Sequence, residues 1–512
     1  MSDLVVGIDS STTATKAIAW TPDGKAAAEG RAEIRLFSPR PNHYEQDPGD
    51  WWASTRTALS QVTAAVDPAR IKAVAVSNQR ETLGIFRRDG SPVRPAMVWL
   101  DDRARPLVDE LASALGTDPD GTPTIHRISG KPVDVIPAVN RIYWMLRNEP
   151  DLHAATDVFS DVHGYLTFRL TGRWATSWAS ADPLGLFDLE AKQWSPQITA
   201  AAGIDAGRLP QPEHPGTVLG AIGKAVAAET GLPEGTPVVA GGGDGQLAGL
   251  GCAALTPDTA YLNIGTALVS GIYGKAFLNQ PAWRTMGGPT GEGYYYEACV
   301  RAGTFTVNWF LDTLCAGEAG TPGEILARLE RECADIPIGS QGLLMVPYWQ
   351  GVMSPYWDSA ARGVYVGLSG AHTRAHMFRA LMEGLALELR LSASAAEHAL
   401  GQTVERYIAI GGGAASTLWR QIFADVTGKS VQRSETVEAS SLGAAICAAV
   451  AAGWYPGFRE AAAAMTGKIV AVSDPDPAAR ARYDELYGIY EGLYERLKPV
   501  YAGLDRFLGA GA

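Results

Sequence analysis

The chain opens on a buried-strand pattern, Leu4-Val5-Val6-Gly7-Ile8-Asp9, and breaks at the hydroxyl-rich turn Ser10-Ser11-Thr12-Thr13-Ala14-Thr15. It then resumes as Lys16-Ala17-Ile18-Ala19-Trp20. The same plan returns past the midpoint. Ala260-Tyr261-Leu262-Asn263-Ile264 breaks at Gly265-Thr266 and continues as Ala267-Leu268-Val269-Ser270-Gly271. Apolar runs this short, bounded by Gly, Ser and Thr, read as strands joined by hairpin turns. The pattern predicts further strands over 27–37, 71–76, 83–87, 95–99, 237–240 and 406–410. A helix is predicted from Asp47-Pro48 to about Val66, with an aspartate cap and proline in its first turn. Others begin near Ser416 and Ser440. Strand-helix alternation in both halves, with a duplicated hairpin, predicts two similar α/β domains around a cleft. Their boundary falls in Gly241-Gly242-Gly243-Asp244-Gly245, giving domains over 1–245 and 246–490 and a helical tail over 491–512. Near the end, Tyr483, Tyr487, Tyr490 and Tyr494 share one predicted helix face, which reads as a core seam or a subunit contact.

Composition narrows the function class. The 512 residues are 46% apolar and 19% charged, ordinary for a globular enzyme and too many for one core. A net charge of −12 argues against a large nucleic-acid-binding face, while a local nest of N–H groups can still bind an anion. Five cysteines without CxxC spacing argue against a zinc site or disulfide framework and suit a reducing cytoplasm. No secretion signal is read at the start, and the alanine-rich run over 442–452 is too short to span a membrane.

Candidate chemistry sits where strands end. Two hairpins with Gly, Ser and Thr tips can present N–H groups and hydroxyls to one phosphate chain. Thr12, Thr13, Thr15 and Lys16 form the first cradle, Gly265 and Thr266 the second. Phosphoryl transfer also needs a Mg²⁺ anchor and a group on the attacking oxygen. Asp9 suits the metal role, directly or through water, or else caps its turn. Asp244 follows three glycines, whose freedom would bring its carboxylate close to a substrate, either to accept a hydroxyl proton or to touch the metal. Gln79, Arg80 and Glu81 offer donors and an acceptor to the hydroxyls of a polyol, with Trp99 and Asp101 as a wall and a further acceptor. The turn Gly411-Gly412-Gly413 lets a flat ring or ribose approach.

Taken together these segments resemble the FGGY family of carbohydrate kinases, from Val5 to about Val450. That resemblance implies two similar actin/hexokinase-like (ribonuclease H-like) domains flanking a deep catalytic cleft. It implies ATP and Mg²⁺, a small sugar or polyol substrate, Asp244 as base, and adenine contact along Gly412, Gly413 and Ser416. Glu45-Gln46-Asp47-Pro48, Trp51-Trp52 and Gly241–Asp244 are similar to xylulose kinases, whereas Asn78–Thr82 and Pro355–Asp358 are similar to glycerol kinases. Arg80-Glu81 departs from the Met-His pair usual in the former, and Asp244-Gly245 from the Asp-Gln of the latter. The expectation is a cytoplasmic ATP-dependent kinase of a small sugar, with xylulose the leading acceptor and glycerol, a tetritol or a pentitol the alternative. A non-catalytic nucleotide switch, as in actins and chaperones, is the rival of another class. Family members often dimerise, so a homodimer is a further expectation.

Overall fold

A computed structural model describes residues 2–509 of the chain. Two large sheets organise it. In the first, β1 (Leu4–Ser10), β2 (Ala14–Trp20), β3 (Ala26–Glu33), β4 (Ile71–Asn78), β5 (Val218–Ala221) and β6 (Pro237–Gly243) lie in the order β5-β6-β4-β1-β2-β3. In the second, the strands are β7 (Thr259–Ile264), β8 (Leu268–Gly274), β9 (Arg284–Gly287), β10 (Tyr294–Val300), β11 (Arg406–Ile410), β12 (Ser430–Ser434) and β13 (Ile469–Ser473). Their order is β9-β10-β8-β7-β11-β12-β13. Each sheet places an antiparallel hairpin beside two parallel strands: β1/β2 beside β4 and β6, and β7/β8 beside β11 and β12. The duplicated hairpin of the sequence is thus a duplicated sheet.

Strand period two sorts the side chains of β1. Leu4, Val6 and Ile8 face a layer formed by α1 (Pro48–Ala65) and the helix Val162–Thr171, while Val5 faces the opposite layer. Asp47 caps α1 through the Gly49 amide, with Pro48 at its first turn.

The opposite layer holds α2 (Asp244–Gly251) and α5 (Ala439–Ala451). Between them in sequence come α3 (Arg374–Leu400) and α4 (Thr417–Thr427). Although α5 comes late in the chain, Leu442, Ala445 and Ile446 pack on the first sheet with Val5, Ile18 and Val239. Small residues permit the approach. A Cβ at Gly7 would stand 1.9 Å from the Ser441 carbonyl oxygen, and one at Gly443 2.0 Å from that of Leu247. On its other side α2 sets Ala248, with Cys252 just past its end, against Ile408 and Ile410 of β11. Helix α2 therefore touches both sheets, as does the start of α5 through Ala439, and Asp244 is the first residue of α2.

Several expectations change. The strands predicted over 83–87 and 95–99 shorten to Gly84–Phe86 and Ala96–Met97 and lie outside the large sheets. The glycines before Asp244 continue β6 instead of forming a turn, with Gly242 and Gly243 beside Ser77 and Asn78. The tyrosine row is split between α6 (Pro477–Tyr490) and α7 (Leu493–Gly509). Tyr483, Tyr490 and Tyr494 are buried and donate to Glu383, Glu388 and Asp358 within the chain. This is a core seam, so these rings do not form a subunit surface. All five cysteines are buried and free, and no described helix is long and apolar enough to cross a membrane.

Candidate active site

The carboxyl ends of parallel strands β1, β4 and β6 meet at one place, as ligand sites in open α/β sheets do. Asp9 is on β1, where the Ser77 hydroxyl donates to its Oδ1 at 2.8 Å. Burial raises its carboxyl to about 7, and the nearby charges of Asp244 and Glu438 add to the rise. Asp244 has 39% of its side chain exposed, which leaves it open to a ligand. Its Oδ1 accepts from the Gly245 amide at 2.8 Å and pairs with Arg80 Nε at 3.0 Å. Burial of its surroundings raises this carboxyl too, and Arg80 opposes that rise. The two carboxylates thus lie near each other, Asp244 paired with Arg80 and Asp9 held by Ser77. Lys16, expected at a phosphate, pairs with Glu438 just before α5.

The glycines around Asp244 have a different use from the one expected. None has a positive φ. A Cβ on Gly243 would lie 2.5 Å from Arg80 Cδ, and one on Gly245 2.8 Å from Arg80 Cζ. They clear a channel for the Arg80 side chain, which fixes Asp244.

Arg80 reaches from the first lobe into the second. Its Nη1 donates to both carboxylate oxygens of Glu297, at 2.9 and 3.0 Å, and to Gln246 Oε1. Glu297 on β10 is fully buried and also accepts from Arg284 Nε at 2.7 Å and from the Tyr261 hydroxyl. Burial alone would raise Glu297, yet Arg80 and Arg284 hold it down to about 2. Arg284 in turn pairs with Glu81 at 2.7 Å. Glu81 holds a left-handed φ of 58°, a strained conformation for a residue with a side chain. Arg80, Glu297, Arg284 and Glu81 form one continuous buried chain of alternating charge across both lobes, and it ends on the partly exposed Asp244. Sequence reasoning missed Arg284 and Glu297. The available signal was a single acid inside the apolar run Tyr294–Val300 and a single base opening the strand beside it.

Other predicted residues separate into exposed and supporting groups. Thr12 accepts from Trp99 Nε1 at 2.9 Å, so the partly exposed indole braces the first hairpin tip, and Thr13 is exposed there. Thr15 points inward instead, to Ser54 and Ser10, and cannot serve a phosphate cradle with its side chain. Gln79 is buried and bonds Gln46, whose amide holds the Thr12 carbonyl; it supports the hairpin rather than a ligand. Asp101 is also fully buried, with both oxygens taken by Arg103 and the Tyr44 amide, so it has no free acceptor for a sugar. In the second lobe Thr266 is exposed at its tip beside Gly265. The Gly412–Gly413 turn packs against this hairpin, where a Cβ on Gly413 would lie 2.4 Å from Ile264 Cγ2. Ser416 caps α4 through the Trp419 amide.

Residues 4–251 match the N-terminal domain, and residues 260–452 the C-terminal domain, of the FGGY family of carbohydrate kinases. The chain is 30% identical over 511 residues to a xylulose kinase of Bacillus subtilis (strain 168), covering 98% of this chain and 99% of that one. It is 29% identical to a glycerol kinase of Symbiobacterium thermophilum, over 90% and 91% of the two chains. Among solved structures, a ligand-bound xylulose kinase from Lactobacillus acidophilus superposes with a TM-score of 0.90 at 24% identity, covering 98% of this chain and 99% of that one, which shows the shared fold.

Proposed function

This chain belongs to the FGGY family of carbohydrate kinases, and from that premise we propose that it phosphorylates a terminal hydroxyl of a pentulose, with xylulose first. It is a phosphotransferase that takes its phosphoryl group from ATP. The observation that carries the phosphoryl-transfer chemistry is the pair Asp9 and Asp244 at the strand ends, the first with its carboxyl raised by burial and further by the charge of the second. The 30% identity to a xylulose kinase supports the acceptor.

In this reading Asp244 accepts the proton of the attacking hydroxyl. Its raised carboxyl brings it closer to the operating pH, where a general base works best. Arg80 holds Asp244 in place through Nε and is itself anchored by Glu297. Thr12 and Thr13 on one hairpin and Gly265 and Thr266 on the other bind phosphate oxygens, and the Gly412–Gly413 turn receives the adenosine. The donor set also suits Mg²⁺, which takes one or two carboxylates and fills its other positions with phosphate and water oxygens. Among the described residues no larger ligand cluster is present. Asp9 would hold the ion, with Asp244 beside it, and the ion would neutralise charge on the transferring phosphoryl group. Two partly exposed carboxylates, close enough for the charge of Asp244 to add to the raised carboxyl of Asp9, support that assignment.

A glycerol or tetritol kinase is the second reading, favoured by the Arg80-Glu81 pair at the end of β4. Coupled ADP release with xylulose, other pentuloses, pentitols, tetritols and glycerol tests both. A pentulose should give the highest kcat/KM. Glycerol as the best acceptor would favour the second reading, and slow ATP hydrolysis unaffected by any sugar would favour a nucleotide switch.

A further inference from the structure

Strand β6 does not run evenly beside β4. Val238 and Val239 lie opposite Val74 and Ala75, whereas Gly242 and Gly243 lie opposite Ser77 and Asn78. Ala240 and Gly241 therefore face the single residue Val76, the two-against-one count of a β-bulge. The extra residue shifts everything after it by one step, about 3.3 Å along the strand and onto the other face. Asp244 is the first residue beyond that shifted stretch. Gly241 fits the bulge because a Cβ there would stand 2.0 Å from the Val76 carbonyl oxygen. Its N–H donates to His163 Nε2 at 3.2 Å, on the helix Val162–Thr171.

His163 is fully buried, and burial holds its imidazole down to about 4, opposed by Asp161, so the ring is neutral at neutral pH. Because Nε2 accepts, the ring proton is on Nδ1, which lies 3.4 Å from the hydroxyls of Thr167 and Thr176. Thr176 gives its own proton to Asp161 Oδ2 at 2.8 Å, which leaves its oxygen free to accept from Nδ1. Asp161 thus selects, through Thr176, the one tautomer that can accept from the bulge. Ser180 stands between the same Asp161 oxygen and Asn78 Oδ1 of β4. We propose that His163 is a positioning residue for phosphoryl transfer: its Nε2 holds the bulge of β6, and with it the place from which Asp244 leaves the sheet. Resting on the kinase reading above, this role runs through Gly241 and the backbone, since His163 touches no reacting atom. An apolar side chain at 163 would leave the Gly241 amide buried without an acceptor, and the strand escapes that state only by slipping or loosening, either of which moves Asp244.

The test compares His163→Leu and His163→Gln in the full chain. Leucine fills the space without an acceptor, whereas the glutamine Oε1 can take the place of Nε2. Hydrogen exchange of the amides over 237–245, read by mass spectrometry, should be at least about tenfold faster in the leucine variant and return to within about threefold of wild type in the glutamine variant. With ATP, Mg²⁺ and the best acceptor, kcat should fall by about tenfold or more in His163→Leu, as a misplacement of about 1 Å can cause, while KM for ATP stays within about twofold. Glutamine should restore most of that loss. Thr176→Val, which deprives Nδ1 of its acceptor, should move both readouts the same way and replaces the leucine variant if that one melts below the working temperature. Unchanged exchange over 237–245, an unchanged kcat, or a loss of kcat that glutamine does not restore would each overturn the proposal. Exchange that responds as expected in a chain whose wild type phosphorylates no sugar sinks the kinase reading alone.

Discussion

Asp9→Asn should stabilise the ligand-free protein at alkaline pH while abolishing its response to Mg²⁺. The Asp9 carboxyl stands at about 7 in the fold against an ordinary 3.8. Between those values the native chain holds a proton that the unfolded chain has lost. Stability therefore falls as pH rises through that window, and the deficit is complete above it. A difference of about three pKa units corresponds to a ceiling of about 4 kcal/mol, at 1.36 kcal/mol per unit. Asparagine carries no such charge, and its carbonyl still accepts from Ser77. Thermal unfolding without nucleotide or metal should show wild type and variant together near pH 4. The variant should melt several degrees higher near pH 8, since ~1 kcal/mol moves a midpoint by about 2–4 °C in a unit of 150–250 residues. Adding Mg²⁺ and ATP should raise the wild-type midpoint more than that of the variant. Equal midpoints at pH 8, or a lower one for the variant, would refute the reasoning that burial and Asp244 strain this carboxylate.

Glu297→Gln removes the buried acid that joins Arg80 to Arg284, leaving two buried cations undercompensated. It should cost about 3–5 kcal/mol in denaturant unfolding and lower kcat by loosening Arg80. If kcat and stability both stay at wild-type values, the network has no positioning role. Gly7→Ala would drive a methyl into the Ser441 carbonyl and push α5 from β1, costing at least about 1–3 kcal/mol. A variant that unfolds with wild type would show that this close approach is relaxed in solution.

The fold was legible where local pattern and global plan agree. Both hairpins, α1 with its Asp47-Pro48 start, and β11 followed by a Ser416-capped helix all lie where the sequence puts them. Two similar α/β domains follow from that duplication, and the family match bears out the fold and the kinase class. The side-chain directions were harder to read. Thr15 and Gln79 sit in motifs that point at a ligand, yet strand alternation and burial turn them to the supporting layer. Asp101 is consumed by Arg103 two residues away, a contact that spacing alone does not reveal. Arg284 and Glu297 gain their meaning only when the lobes come together, because their partners Glu81 and Arg80 lie some two hundred residues earlier. The glycines around Asp244 were visible, but their reasons, clearance for the Arg80 side chain at Gly243 and Gly245 and close approach to Val76 and Ala179 at Gly241 and Gly242, depend on tertiary contact.

The most direct measurement is the single-turnover rate of Asp244→Asn with saturating ATP, Mg²⁺ and the best pentulose. The amide oxygen can still accept from Arg80 and the Gly245 amide, so the local geometry is kept while the proton acceptor is lost. The account predicts a rate reduced by at least about 10²-fold, the range for loss of a general base, with nucleotide affinity within about threefold of wild type. A variant that turns over within a factor of about three of wild type would contradict it.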